Sequence, residues 1–117
     1  MLAVLLVAAI IAGAAATPAG AALKTKQVTI KNYAFAPQTI TVNAGTRVTW
    51  KNADGFDHHL ASANSLKTTA KVTGMFSSGV LRKGSTFSFT YKKKGTYYYQ
   101  CTIHASMTSM HGKVVVK

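Results

Sequence analysis

Apolar and polar side chains alternate with a period of two from Gln27 to the end of this chain, and no window sustains the periodicity of a helix. Successive side chains of an extended segment point to opposite faces, so the pattern specifies half-buried strands. Val28 and Ile30 alternate with Thr29 and Lys31, and residues 32–37 turn the chain. Residues 39–42 form a second strand that ends at the turn Asn43-Ala44-Gly45, and residues 46–51 form a third with Val48 and Trp50 on one face. Residues 52–57 read as a loop, and residues 58–62 resume extended structure. Between 63 and 84 the pattern breaks: Lys71-Val72-Thr73 reads as a short strand, with turns at Ser77-Ser78-Gly79 and Lys83-Gly84. Strands follow at 86–91, 96–101 and 113–117. About eight short strands at this spacing predict an all-β Greek-key β-sandwich or small barrel.

The N-terminal stretch falls outside that pattern. Residues 2–16 are small and apolar, and Ala19-Gly20-Ala21 offers an Ala-x-Ala cleavage site. Residues 1–22 therefore read as a secretory signal peptide, which leaves residues 23–117 as a single domain. An uncleaved anchor is the alternative, but the apolar run is shorter than the roughly 20 residues a membrane span needs. Export makes the lone cysteine, Cys101, informative. It cannot form an internal disulfide, and a free thiol is a liability in an oxidising compartment, so a metal-ligand role is favoured.

Charge is equally one-sided. Fourteen Lys and Arg stand against Asp54 and Asp57, with no glutamate, for a formal net charge of +12. Such a field attracts acidic proteins, anionic membranes or cell-wall polymers. The export signal argues against nucleic acid.

Residues 101–112 concentrate the remaining chemistry: Cys101, His104, Met107, Met110 and His111 lie between a tyrosine-rich strand and a valine-rich one. A thiolate, an imidazole and a thioether together suit copper, whose two oxidation states favour sulfur and nitrogen respectively. If Tyr97 and Tyr99 face the core, Cys101 faces it too.

Several segments together resemble the cupredoxins, the small blue (type 1) copper proteins of the plastocyanin, amicyanin and pseudoazurin group. They are Phe35-Ala36-Pro37, Gly45-Thr46-Arg47-Val48-Thr49-Trp50-Lys51-Asn52, Phe76-Ser77-Ser78-Gly79, Gly95-Thr96-Tyr97-Tyr98-Tyr99-Gln100-Cys101-Thr102-Ile103-His104 and Met110-His111-Gly112-Lys113-Val114-Val115-Val116. The resemblance implies one copper ion cycling between Cu(I) and Cu(II), with His58, Cys101 and His104 in a trigonal plane and a methionine as weak axial ligand. The resemblance implies a ligand histidine eight residues beyond the large apolar residue that Trp50 matches, which is His58 rather than His59. Met110 is the expected axial ligand because it keeps the family's Met-x-Gly register into the last strand. Met107, at the shorter amicyanin-like spacing, is the alternative.

The resemblance further implies a monomeric electron carrier and no enzyme activity. Its partners would be redox proteins with acidic docking surfaces, and its place periplasmic or otherwise extracytoplasmic. A copper-binding or copper-delivery protein without a redox role is the rival reading, favoured by the extra donors His59, Met107 and His111. His59 stands where relatives place a residue that ties the ligand loops together. His111 reads as a surface residue, Met75 as core or loop packing, Trp50 as core, and Tyr97 as a tyrosine corner.

Overall fold

A computed structural model describes residues 24–117, so the segment read as a signal peptide, 1–22, lies outside the described residues. The described residues form nine strands: β1 (Thr25–Lys31), β2 (Ala34–Ala36), β3 (Thr39–Val42), β4 (Thr46–Asn52), β5 (His58–Ala63), β6 (Val72–Leu81), β7 (Thr86–Tyr91), β8 (Gly95–Cys101) and β9 (His111–Val116). They form two sheets, in the orders β2-β1-β4-β7 and β3-β9-β8-β5-β6. The β1–β4 and β3–β9 pairs are parallel and the others antiparallel, as expected of a sandwich whose chain crosses repeatedly between layers.

The alternation read from the sequence becomes the inside and outside of this sandwich. Along β4, Thr46, Val48, Trp50 and Asn52 are buried while Arg47 and Lys51 face solvent. Trp50 sits at the centre, its ring 5.7 Å from that of Phe76, 5.9 Å from Phe87 and 5.1 Å from Tyr99. Burying each such side chain contributes roughly 1.5–3 kcal/mol, so this cluster holds the two layers together. The Tyr97 hydroxyl donates to the Lys93 carbonyl at 2.8 Å, which makes the expected tyrosine corner.

Three local expectations are corrected. Ala34–Ala36 is a strand rather than part of a turn, because it pairs with the end of β1 and buries Phe35. The segment with Ser77-Ser78-Gly79 is not a turn; it lies within ten-residue β6, where Gly74 and Gly79 take φ of +83° and +73° and the register against β5 shifts. Met75, on this edge strand, is exposed rather than packed.

One close approach fixes the last strand. Gly112 lies opposite Tyr99 across the β8–β9 pair, and a Cβ placed on it would collide with the tyrosine ring. Only glycine lets Tyr99 cross here, and the register it sets places Met110 and His111 at the same end of the sandwich as Cys101.

Candidate metal centre

Two of the centre's side chains come from neighbouring strands. β5 and β8 pair antiparallel with Leu60 opposite Cys101. Tyr99 and Cys101 face inward together, as parity predicts, and the thiol is fully buried. His58, two residues before Leu60, shares its inward face and brings Nδ1 to 3.6 Å from Cys101 Sγ. The backbone N–H of His59 points at the same sulfur, at 3.5 Å.

The third side chain comes from a loop. After Cys101 the chain makes a single 3₁₀ turn, Thr102–His104, which swings His104 back so that its Nδ1 lies 3.3 Å from Sγ. The three donor atoms of His58, Cys101 and His104 lie within 4.8 Å of one another. His104 is only half-buried, and Tyr33 packs edge-on against it with ring centroids 4.9 Å apart. Around it Phe56 is 55% exposed, Ile103 56% and Met107 37%, which gives this end of the molecule an apolar rim. Burial, together with the charge of nearby His58, holds the His104 pKa below its ordinary 6.5, although Asp54 pulls the other way.

The rest of the loop is tied down. A second 3₁₀ turn, Thr108–Met110, leads into β9, and Met110 is 0% exposed within the same core cluster as Cys101. Gln38 Nε2 donates to the carbonyls of Thr108 and His111, and Ser109 Oγ donates to the Tyr33 carbonyl. His111, read as a surface residue, is fully buried: at the start of β9 its ring turns inward and Nε2 donates to the Ala105 carbonyl at 2.7 Å. His59 has the tying role considered for it, since Nδ1 bonds Thr102 Oγ1 at 2.8 Å and Nε2 bonds Ser77 Oγ at 3.2 Å. Strands β5 and β6 and the ligand loop are thereby linked through one ring.

Asn52, at the end of β4, and Asp54, in the loop that follows, carry little mark of their role in the sequence. Asn52 is fully buried; its side-chain amide donates to the carbonyls of Phe56 and Leu81, and its oxygen accepts from the N–H of Asp54. The loop so shaped places the Asp54 carboxylate 2.9 Å from His58 Nε2. The same carboxylate accepts the backbone N–H groups of Asn32 at 2.7 Å and Tyr33 at 3.0 Å. Desolvation alone would raise its pKa, but the bonds from Tyr33, His58 and Asn32 outweigh it and hold the carboxyl below 3.8. An ionised carboxylate can only accept, so His58 Nε2–H donates to Asp54, and Nδ1 is the ring nitrogen turned toward the sulfur.

Asn32 and Tyr33 form the two-residue link between β1 and β2, with φ of +53° and +55°. This is the left-handed geometry of a type I′ hairpin, where glycine normally takes the second place. It costs roughly 1–2 kcal/mol per non-glycine residue. Hydrogen bonds to a charged acceptor, about 1.5–3 kcal/mol each, offset that cost. The one sequence signal for Asp54 is the rarity of acids among so many cations.

A cysteine sulfur and two imidazole nitrogens at these separations match the triangle that metal–nitrogen and metal–sulfur bonds of roughly 2.0–2.3 Å subtend. A His₂Cys set with a nearby buried methionine is the donor chemistry of blue copper. The family model described as "Copper binding proteins, plastocyanin/azurin family" matches residues 22–117. The chain belongs to the plastocyanin/azurin family of copper-binding proteins. This cupredoxin is 32% identical over 110 residues to amicyanin-alpha of Methylorubrum extorquens, covering 94% of the chain and 87% of that protein. It is 34% identical over 113 residues to the chloroplastic plastocyanin of Fritillaria agrestis, covering 86% and 68%. Among solved structures, a purple cupredoxin from Nitrosopumilus maritimus superposes with a TM-score of 0.69 at 27% identity, over 78% of this chain and 98% of that one. A reduced amicyanin carrying a single tryptophan-to-tyrosine substitution gives 0.65 at 29% identity, over 82% and 85%. Copper is therefore the cofactor, and the His58–Cys101–His104 group fits it.

Proposed function

We propose that His58, Cys101 and His104 hold one copper ion in a trigonal plane, that Met110 is its weak axial donor, and that the protein carries single electrons between redox partners outside the cytoplasm. The observation that carries this reading is the convergence of a buried cysteine sulfur and two imidazoles within 4.8 Å, one imidazole standing at an apolar rim. Bound copper supplies a one-electron couple. The chain's part is to hold four donors still: two strands fix His58 and Cys101, and His111, Gln38 and Ser109 pin the loop that bears His104 and Met110. Four protein donors leave no open position for substrate, in keeping with a carrier rather than an enzyme. Complete burial of Met110, against partial exposure of Met107, supports Met110 as the axial donor.

His104 is the route for electrons, since its ring lies between the sulfur and the rim formed by Tyr33, Phe56 and Ile103. The net charge of +12 selects partners with acidic docking surfaces and makes docking weak and salt-sensitive. The apolar N-terminal stretch supports export to a periplasmic or extracellular location, and the protein acts as a monomer. A copper-delivery role would call for spare donors beside the site. His59 and His111 are both engaged in hydrogen bonds, which favours electron transfer.

Voltammetry of the copper-loaded mature protein tests the reading. Reversible one-electron cycling is expected, with electron exchange to an acidic redox protein slowing as salt is raised. A colourless protein that binds only Cu(I) and releases it readily would establish delivery instead.

A further inference from the structure

Asp54 is one of only two acids in a chain of net charge +12, and it is buried, at 6% exposure, while Asp57 is exposed. Among the described residues its ion-pair partner is no lysine or arginine but His58. Three donors converge on its two oxygens: Asn32 N–H on Oδ1, and Tyr33 N–H with His58 Nε2–H on Oδ2. We infer that Asp54 is a positioning residue for the copper centre: it orients the His58 ring, seats Tyr33 against His104, and biases the bound metal toward its oxidised state.

The orientation follows from geometry. A ring held at Nε2 by a fixed acceptor cannot rotate Nδ1 away from the sulfur, and a carboxylate partner raises the basicity of the coordinating nitrogen. Tyr33 follows because the carboxylate that holds His58 also satisfies the strained turn that carries the tyrosine. The oxidation-state bias follows from charge. A thiolate and one carboxylate balance a dication, so the oxidised centre is neutral and the reduced one carries a net negative charge. Burying a net charge costs more than burying a neutral group, so removing the Asp54 charge favours the reduced state.

This inference rests on the copper reading above, and its test separates the two. Copper-loaded wild type, Asp54→Asn, Asp54→Glu and Asp57→Asn are compared by optical spectrum and midpoint potential. Asp54→Asn is expected to keep the blue band while the preference for Cu(II) over Cu(I) falls about tenfold, a rise of about 59 mV for a one-electron couple. Asp57→Asn makes the same change in net charge three residues away and should alter the preference less than about twofold. Asp54→Glu, which keeps the charge, should recover most of the wild-type potential. In wild type the His58 Nε2–H resonance is expected to be protected from solvent exchange, and in Asp54→Asn that protection should fall. If Asp54→Asn does not fold, the comparison moves to Tyr33→Gly against Tyr33→Gly/Asp54→Asn, since glycine relieves the left-handed turn. A blue wild type in which Asp54→Asn shifts no more than Asp57→Asn overturns the Asp54 assignment alone. A wild type without the blue band overturns the copper reading and this inference together.

Discussion

His58 and His104 present the same ring nitrogen to the same sulfur, yet the molecule holds them in opposite ways. His58 lies on a strand, fully buried, with its far nitrogen locked by Asp54. His104 lies on a 3₁₀ turn, half-buried, with an aromatic edge beside it and an apolar rim around it. For the proposed electron carrier, the difference divides the task between two kinds of structure. The sandwich supplies rigidity from the inside, and the loop supplies contact with the outside.

The largest effect should come from removing each ring in turn. His58→Gly and His104→Gly each empty a proposed ligand position, but only the second opens it toward solvent. Added imidazole is expected to restore the blue band of His104→Gly and to leave His58→Gly unrestored, as read by absorption titration. Equal rescue of both would erase the distinction between the two rings.

A smaller change follows from the methionines, which lie on the loop side. Met110→Leu should shift the optical spectrum and raise the potential, at a cost to stability of less than about 1.5 kcal/mol for a volume-conserving swap. Met107→Leu, on the rim, should leave both nearly unchanged. A silent Met110→Leu paired with a shifted Met107→Leu would make Met107 the axial donor in place of the proposed Met110.

The smallest effect concerns acid and the metal-free protein. The His104 pKa is depressed in the folded state, mainly by burial and then by the charge of His58, so below 6.5 the unfolded chain takes up a proton more readily. Stability from this group is therefore present above 6.5 and lost as the pH falls through its lower folded value. The Asp54 pKa is depressed below 3.8, so its contribution is lost only in stronger acid, as the pH falls through the folded value. Denaturation of apoprotein across pH should show these as two steps, and His104→Gln should remove the first while sparing the second. The same single step in both proteins would contradict the assignment.

Much of this arrangement is legible in the sequence, for identifiable reasons. Parity along Tyr97, Tyr99 and Cys101 is local, so the inward thiol can be read directly; so can Trp50 in the core and the Tyr97 corner. β6 is hidden because its two positive-φ glycines look like turns when no partner strand is known to absorb them as irregularities. β2 is hidden because three residues before a proline carry too little alternation to register. His111 reads as exposed because its burial depends on a carbonyl six residues back across a folded loop. Asp54 escapes notice for the most general reason. A loop acid looks solvated until the β1–β2 hairpin, more than twenty residues away in sequence, brings two N–H groups to it.

The central claim is that Cys101 binds copper within a His₂Cys plane, and one comparison tests it directly. The optical and EPR spectra of the copper-loaded protein should show an intense blue or purple thiolate-to-copper band with the narrow hyperfine splitting of a type 1 site. Cys101→Ser should abolish the band while leaving the fold intact. A Cys101→Ser protein with the wild-type spectrum would contradict the account.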